Sequence, residues 1–170
     1  MQISAFIFDW DCQAQLSVGL WNLNAGQGDS DSFTLYNDSF IFSQDFASLF
    51  LRAKSDLPPK SAEIIERFLV NCCPGLMDEN ILRPDYDLTV PIEWVYSALA
   101  PSTVRARLAS LLDIDFLDSC RQLAMAVSAA DTGENSVIRD STEIYTFLFM
   151  WAAAHGQAAS KNWGLVVTAG

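Results

Sequence analysis

The run Ile144-Tyr145-Thr146-Phe147-Leu148-Phe149-Met150-Trp151-Ala152-Ala153-Ala154 decides the fold, because Thr146 is its only polar residue. Read as a helix, it is apolar around nearly its whole circumference, which predicts a helix covered on every side at the centre of the molecule. The run falls well short of the roughly 20 residues that a bilayer-spanning helix takes. Ahead of it, Asp140-Ser141-Thr142-Glu143 has the spacing of a capping box, with Asp140 able to accept from the first free amides and Glu143 able to reach back. Behind it, Gly156 and the small residues Ala158-Ala159-Ser160 predict a loosened helix end. The run holds no reactive group, so it speaks for architecture and not for chemistry.

Outward from this helix, Trp163-Gly164-Leu165-Val166-Val167 reads as a last strand that returns to an N-terminal sheet, beside the first strand. Residues 3–8 are rich in β-formers and supply that first strand. A second is expected over 15–21, where Leu16, Val18 and Leu20 alternate with Gln15, Ser17 and Gly19. Residues 22–32 read as a surface loop, and the short runs 33–36 and 40–42 around Asn37-Asp38 as a hairpin.

After Ser43 the apolar period lengthens to that of a helix. Ser43 is placed to cap Phe46, Leu49, Phe50 and Ala53, and Ser61 to cap Ile64, Ile65, Phe68, Leu69 and Cys72. Leu57-Pro58-Pro59 and Pro74-Gly75 stop these two helices. Pro91 opens a helix lined by Ile92, Val95, Tyr96 and Leu99. Pro101-Ser102 opens the next, lined by Val104, Leu108, Leu111 and Leu112, with Arg105 and Arg107 left outside. Asp113 opens one carrying Phe116, Leu117, Cys120, Leu123, Ala124 and Val127. Residues 77–89 have poor periodicity and read as a long surface connection. The expected whole is a single globular domain over 1–170. It is α+β, with a small mainly antiparallel sheet of N-terminal strands plus a C-terminal strand, packed with five or six helices around the central helix near 141–156.

Composition restricts function more than any motif does. Against 21 Asp and Glu stand 10 Lys and Arg, a formal charge of −11, so the summed field repels nucleic acid and anionic membrane faces and attracts basic partners. The N-terminus has no positive region ahead of its short apolar run, which implies a protein made and kept in the cytoplasm. Cys12, Cys72, Cys73 and Cys120 lack the spacing of a zinc site or a disulfide framework and read as buried thiols.

Phe6-Ile7-Phe8-Asp9-Trp10-Asp11, an apolar strand ending in two carboxylates, resembles the first motif of haloacid-dehalogenase-type phosphatases. The resemblance implies a Mg²⁺-dependent phosphohydrolase in which Asp9 attacks phosphorus and Asp11 serves as acid or base. Downstream the chain departs from the family: Cys12-Gln13 follow, and no matching lysine or strand-end acidic pair comes later. Asp131-Thr132-Gly133 is similar to the catalytic triplet of retroviral-type aspartic proteases, but it follows a helical stretch and reads as a helix-ending turn. Asp113, Asp115 and Asp118 suit the positive end of a helix. His155, the sole histidine, is expected at the last carbonyls of the central helix. Neither a Gly-x-Ser-x-Gly nor a phosphate-binding glycine loop is found.

These readings converge on a non-catalytic acidic binding protein with no cofactor and no metal. Its expected partner is a basic protein, not a nucleic acid or a membrane. The profile is similar in type to that of bacterial immunity proteins, which neutralise secreted toxins, and an acidic face speeds encounter with a cationic cleft. Exposed loop acids are the expected contacts, namely Asp29, Asp31, Asp78, Glu79, Asp85 and Asp87, with Trp94 as an aromatic anchor. The phosphohydrolase built on Asp9 and Asp11 is the alternative.

Overall fold

A computed structural model describes residues 3–15, 32–35, 44–73, 76, 84–89, 91–131 and 141–169. The expected features at 16–21, at the loop to Asp31, at 40–42, at the caps Ser43 and Asp140, and at Pro74 and Gly75 lie outside these residues.

Strand β1 (Ile3–Phe8) leads into a 3-10 turn over Trp10–Gln15. Strand β2 (Ser32–Leu35) follows, then helices α1 (Gln44–Ala53) and α2 (Pro59–Leu69). Next come β3 (Val95–Leu99), α3 (Pro101–Ser110), α4 (Phe116–Ala130), α5 (Ser141–Lys161) and β4 (Gly164–Ala169). The described strands form one antiparallel sheet in the order β2-β1-β4-β3. β1 and β4 are its central pair, in register from Ile3 opposite Ala169 to Phe8 opposite Gly164. A central strand buried on both faces needs an unbroken apolar run, and Leu165, Val166 and Val167 are all fully buried.

Strand alternation divides the sheet's side chains between two cores. Ala5, Ile7, Leu99, Leu165 and Val167 join the helices in the main core, while Phe6, Val95, Ala98 and Val166 make a smaller cluster on the other face. The α+β architecture and the return of the last strand beside the first are therefore as the residue pattern implies.

α5 packs against α3, α4, β1 and β4 and is the central helix. Ile144, Phe147, Leu148, Trp151, Ala154, His155 and Ala158 form its buried stripe. It departs from expectation twice. The helix runs on through Gly156 to Lys161, and an Asn162 with positive φ ends it. Nor is it covered all round, since Thr146, Met150 and Ala153 are exposed. At the middle of the stripe the Trp151 Nε1–H donates to the Phe68 carbonyl at 2.8 Å, and its ring lies 6.0 Å from that of Phe68. This single side chain ties α5 to the end of α2.

Four further local readings are corrected. Residues 92–99 do not make a helix: Val95–Leu99 is the edge strand β3. Positions 92, 95, 96 and 99 fit a helical stripe, but so short a run between Pro91 and Pro101 fits a buried strand equally, and the open edge of β4 decides. Residues 84–88, expected as surface connection, run alongside β3. A parallel bridge joins Tyr86 to Ala98, with Ala98 N–H donating to the Asp85 carbonyl at 2.9 Å and Asp87 N–H to the Ala98 carbonyl at 2.7 Å. Ser61 does not cap α2, which starts at Pro59; it lies buried inside the helix, 3.1 Å from the Ser119 hydroxyl of α4. Asp115, not Asp113, caps α4, accepting from the Asp118 N–H at 3.0 Å.

Trp151→Leu should lower unfolding free energy by about 3–5 kcal/mol, because it leaves a cavity and removes the partner of a buried carbonyl. Urea denaturation followed by far-UV circular dichroism measures this.

Candidate functional site

Asp29, Asp31, Asp78 and Glu79 lie outside the described residues. The two other expected contact acids, Asp85 and Asp87, have partners within the chain. Asp85 Oδ2 receives Arg107 Nη2 at 2.6 Å, Arg107 Nε at 3.0 Å and Asn71 Nδ2 at 3.1 Å. Its backbone N–H donates to Asn71 Oδ1 at 2.8 Å, and its carbonyl accepts from the Ser97 hydroxyl at 3.0 Å. Asp87 Oδ2 accepts from the Ala100 N–H at 2.8 Å and the Thr103 hydroxyl at 2.6 Å, which fixes the entry into α3. Arg107, expected on an outer face, is turned inward: its side chain is 16 % exposed and that of Asp85 25 %. The pair therefore fastens α3, the turn after α2 and the segment beside β3 to one another.

Trp94 sits differently. It is half-buried and packs on the small cluster of Phe6, Val95, Ala98 and Val166, together with Phe8, Trp10, Tyr86, Leu88 and Ile92. The origin of this patch is period-two alternation, which carries Phe6, Phe8 and then Trp10 to one face of the sheet. Trp10 and Phe8 rings stand 5.2 Å apart, and the Trp10 ring lies over Gly164, where a Cβ would land inside the indole and 2.8 Å from the Leu99 carbonyl. The Tyr86 hydroxyl accepts from the Ile92 N–H at 2.7 Å, holding the loop that presents Trp94. Asp9, Asp11 and Glu93 are exposed and each adjoins one of these aromatics in sequence. The Phe6-Phe8-Trp10 spacing was the signal for this patch. Reading those residues as the approach to two catalytic acids passed over it.

Asp9 and Asp11 are linked by a turn in which the Asp11 N–H donates to Asp9 Oδ1 at 3.1 Å, and both remain exposed just beyond β1. Among the described residues no three His, Cys, Asp or Glu side chains are grouped to hold a metal ion. Asp131 ends α4, its N–H bonded to the Val127 carbonyl at 3.1 Å; Thr132 and Gly133 lie outside the described residues.

His155 is not at a helix end. It is fully buried in the middle of α5, wedged 4.5 Å from the Trp151 ring and 4.8 Å from that of Phe68. Its Nδ1 lies 2.9 Å from the Trp151 carbonyl, which can only accept, so the proton is on Nδ1; Nε2 has no hydrogen-bond partner among the described residues. Loss of solvation lowers its pKa to about 4, against the opposing pull of the Trp151 carbonyl, with Arg107 lowering it further and Asp85 raising it. Cys72, Cys73 and Cys120 are buried as expected, whereas Cys12 is exposed. Burial raises the Cys72 thiol well above its usual value, with Cys73 adding to the effect, and pushes Cys120 up to about 12. Such thiols are poor nucleophiles.

Comparison with protein-family models, with curated proteins and with solved structures gives no match for the chain. The chain is an α+β domain whose sheet carries an aromatic patch on one face, with exposed Asp9, Asp11 and Glu93 next to its aromatics in the chain. No helix among the described residues is long and apolar enough to cross a membrane.

Two outcomes follow from these contacts. Arg107→Met should destabilise by about 2–4 kcal/mol, since it strands the Asp85 carboxylate, and the Asp85→Asn, Arg107→Met double variant should recover part of that loss. Chemical denaturation of the four proteins measures the coupling. His155 takes up its proton in the unfolded chain near pH 6.5 and in the native state near 4, so native stability is lost as pH falls through that window. His155→Phe should flatten the stability profile between these two pH values by on the order of 3 kcal/mol relative to wild type.

Proposed function

We propose that this chain is a non-catalytic binding protein that neutralises a basic partner protein in the cytoplasm, most specifically an immunity-type inhibitor of a bacterial toxin. One observation carries the reading: Trp94, Trp10 and Tyr86 stand half-exposed on a sheet face, with exposed Asp9, Asp11 and Glu93 next to them in the chain. Tight protein interfaces concentrate their binding energy in aromatic anchors at the centre, and they use rim charge to set encounter rate and specificity. Here the rim is negative and the chain as a whole carries −11, so the complementary surface is basic. Asp29, Asp31, Asp78 and Glu79 extend the proposed acidic contact set. Asp85 and Asp87 serve it indirectly, by holding the segment that carries Tyr86.

The test starts from affinity purification of the tagged chain out of its native cells and identification of a stoichiometric partner with a high isoelectric point. Titration of that purified partner's activity against the chain follows. Inhibition at one-to-one stoichiometry is expected, with Trp94→Ala weakening the complex by about 30-fold or more, equivalent to roughly 2 kcal/mol. Asp9→Asn with Asp11→Asn should slow association and reduce its salt dependence while leaving inhibition in place. A Mg²⁺-dependent phosphatase activity of the purified chain that vanishes in this double variant would instead establish the alternative, a phosphohydrolase using Asp9 and Asp11.

A further inference from the structure

On the side of the molecule formed by α3 and α5, a groove of about 680 Å³ opens between the two helices and the start of α4. Leu108, Ala109, Leu112, Phe116, Phe149 and Ala153 are among its walls, and Arg105 is the one charged side chain lining it. The groove exists because α3 gives way to a 3-10 turn at Leu111–Asp113, which throws Leu112 outward to 86 % exposure instead of into the core. Facing it, α5 contributes Phe149 and the methyl groups of Ala152 and Ala153. From Arg105 to Leu112 the groove follows roughly 10 Å of α3 and the 3-10 turn after it.

Arg105 gives the groove a polarity. Its Nη1 donates to Asn162 Oδ1 beyond the end of α5, a neutral acceptor that leaves the guanidinium's charge uncompensated and most of its N–H groups available. Among the described residues no carboxylate pairs with Arg105, whereas Arg107, two positions on, is held by Asp85. Beyond Leu112 in the chain, Asp113 lies 3.6 Å from Lys60 and Asp115 caps α4, and neither lines the groove. An apolar trough whose one charged lining group is a cation selects an apolar chain whose single anionic head lies at Arg105. At physiological salt the field of distant charges fades within about 8 Å, so the local cation dominates for one small head group. An anionic membrane face, by contrast, meets the whole acidic surface and is repelled.

We infer that this groove binds the monomeric form of a single-chain aliphatic carboxylate, its chain along α3 and α5 and its carboxylate on Arg105. The volume falls within the range of small-molecule sites, and the lining, apolar with one orienting polar group, is of the kind such sites have.

Decanoate, decan-1-ol and decyltrimethylammonium, each kept below its aggregation threshold, are the probes, read by methyl NMR of the full chain. Decanoate should shift the Ala109, Ala153 and Leu112 methyl signals with saturation at one equivalent. Decan-1-ol should reach the same methyls about tenfold more weakly, and Arg105→Gln should make the acid and the alcohol equal. Ala153→Phe, at an exposed position where the fold and melting temperature should be unchanged, should abolish both; Ala109→Phe serves as the second filling variant. The inference is overturned if decanoate gives no saturable shift, if shifts scatter over the surface, or if decyltrimethylammonium binds as tightly as decanoate. It is equally overturned if Arg105→Gln keeps the preference for the acid, or if phosphatidylglycerol vesicles engage the groove while the monomer does not.

Discussion

The antiparallel pairing of β1 with β4 is the constraint on which the rest depends. Its partners are nearly a chain length apart, with Ile3 opposite Ala169, yet they form the centre of the sheet rather than its edge. Closing such a loop costs roughly 2–3 kcal/mol more than closing a ten-residue hairpin. The two strands offset this by burying apolar side chains on both faces, Ala5, Ile7, Leu165 and Val167 toward the helices and Phe6 and Val166 away from them. β2 and β3 each add to a strand already in the pair, and α5 lies across both of its members. Helices can form early from local contacts, but the sheet that orders them waits for the last strand.

Much of this was legible in the residues, and the parts that were not share a cause. α1, α2, α4 and α5 have apolar stripes or runs of helical length, and β1 and β4 are short runs rich in β-formers. The edge strand Val95–Leu99 is short, and its apolar spacing suits both a helix and a strand; what decided it was the unpaired edge of β4, which lies some seventy residues further along. Arg107 reads as a surface cation on α3 until Asp85, itself read as part of a surface connection, arrives beside it at 2.6 Å. Gly156 is tolerated inside α5 because the helix is held by its tertiary contacts and needs little from local propensity there.

The same division runs through the functional reading. Net charge is a property of composition, but whether an acid is available to a partner depends on what it already holds. Asp85 and Asp87 are occupied in bracing α3 and the edge of the sheet, while Asp9, Asp11 and Glu93 are exposed and adjoin aromatics of the patch in the chain. Trp94 is identifiable from its type and Trp10 from its spacing after Phe6 and Phe8; Tyr86 joins them only once the segment beside β3 is placed against the sheet. His155 shows the opposite case: a residue type suited to acid–base chemistry, here sealed in the core as a neutral ring.

The unequal placement of the thiols has a practical corollary. Three of the four cysteines are enclosed and Cys12 alone meets solvent, directly after Asp11 and two residues from Trp10. A maleimide dye offered to the native molecule is thereby directed to one sulfur without any engineering. The fluorophore then sits two positions along the chain from Trp10, where its emission would report the docking proposed above.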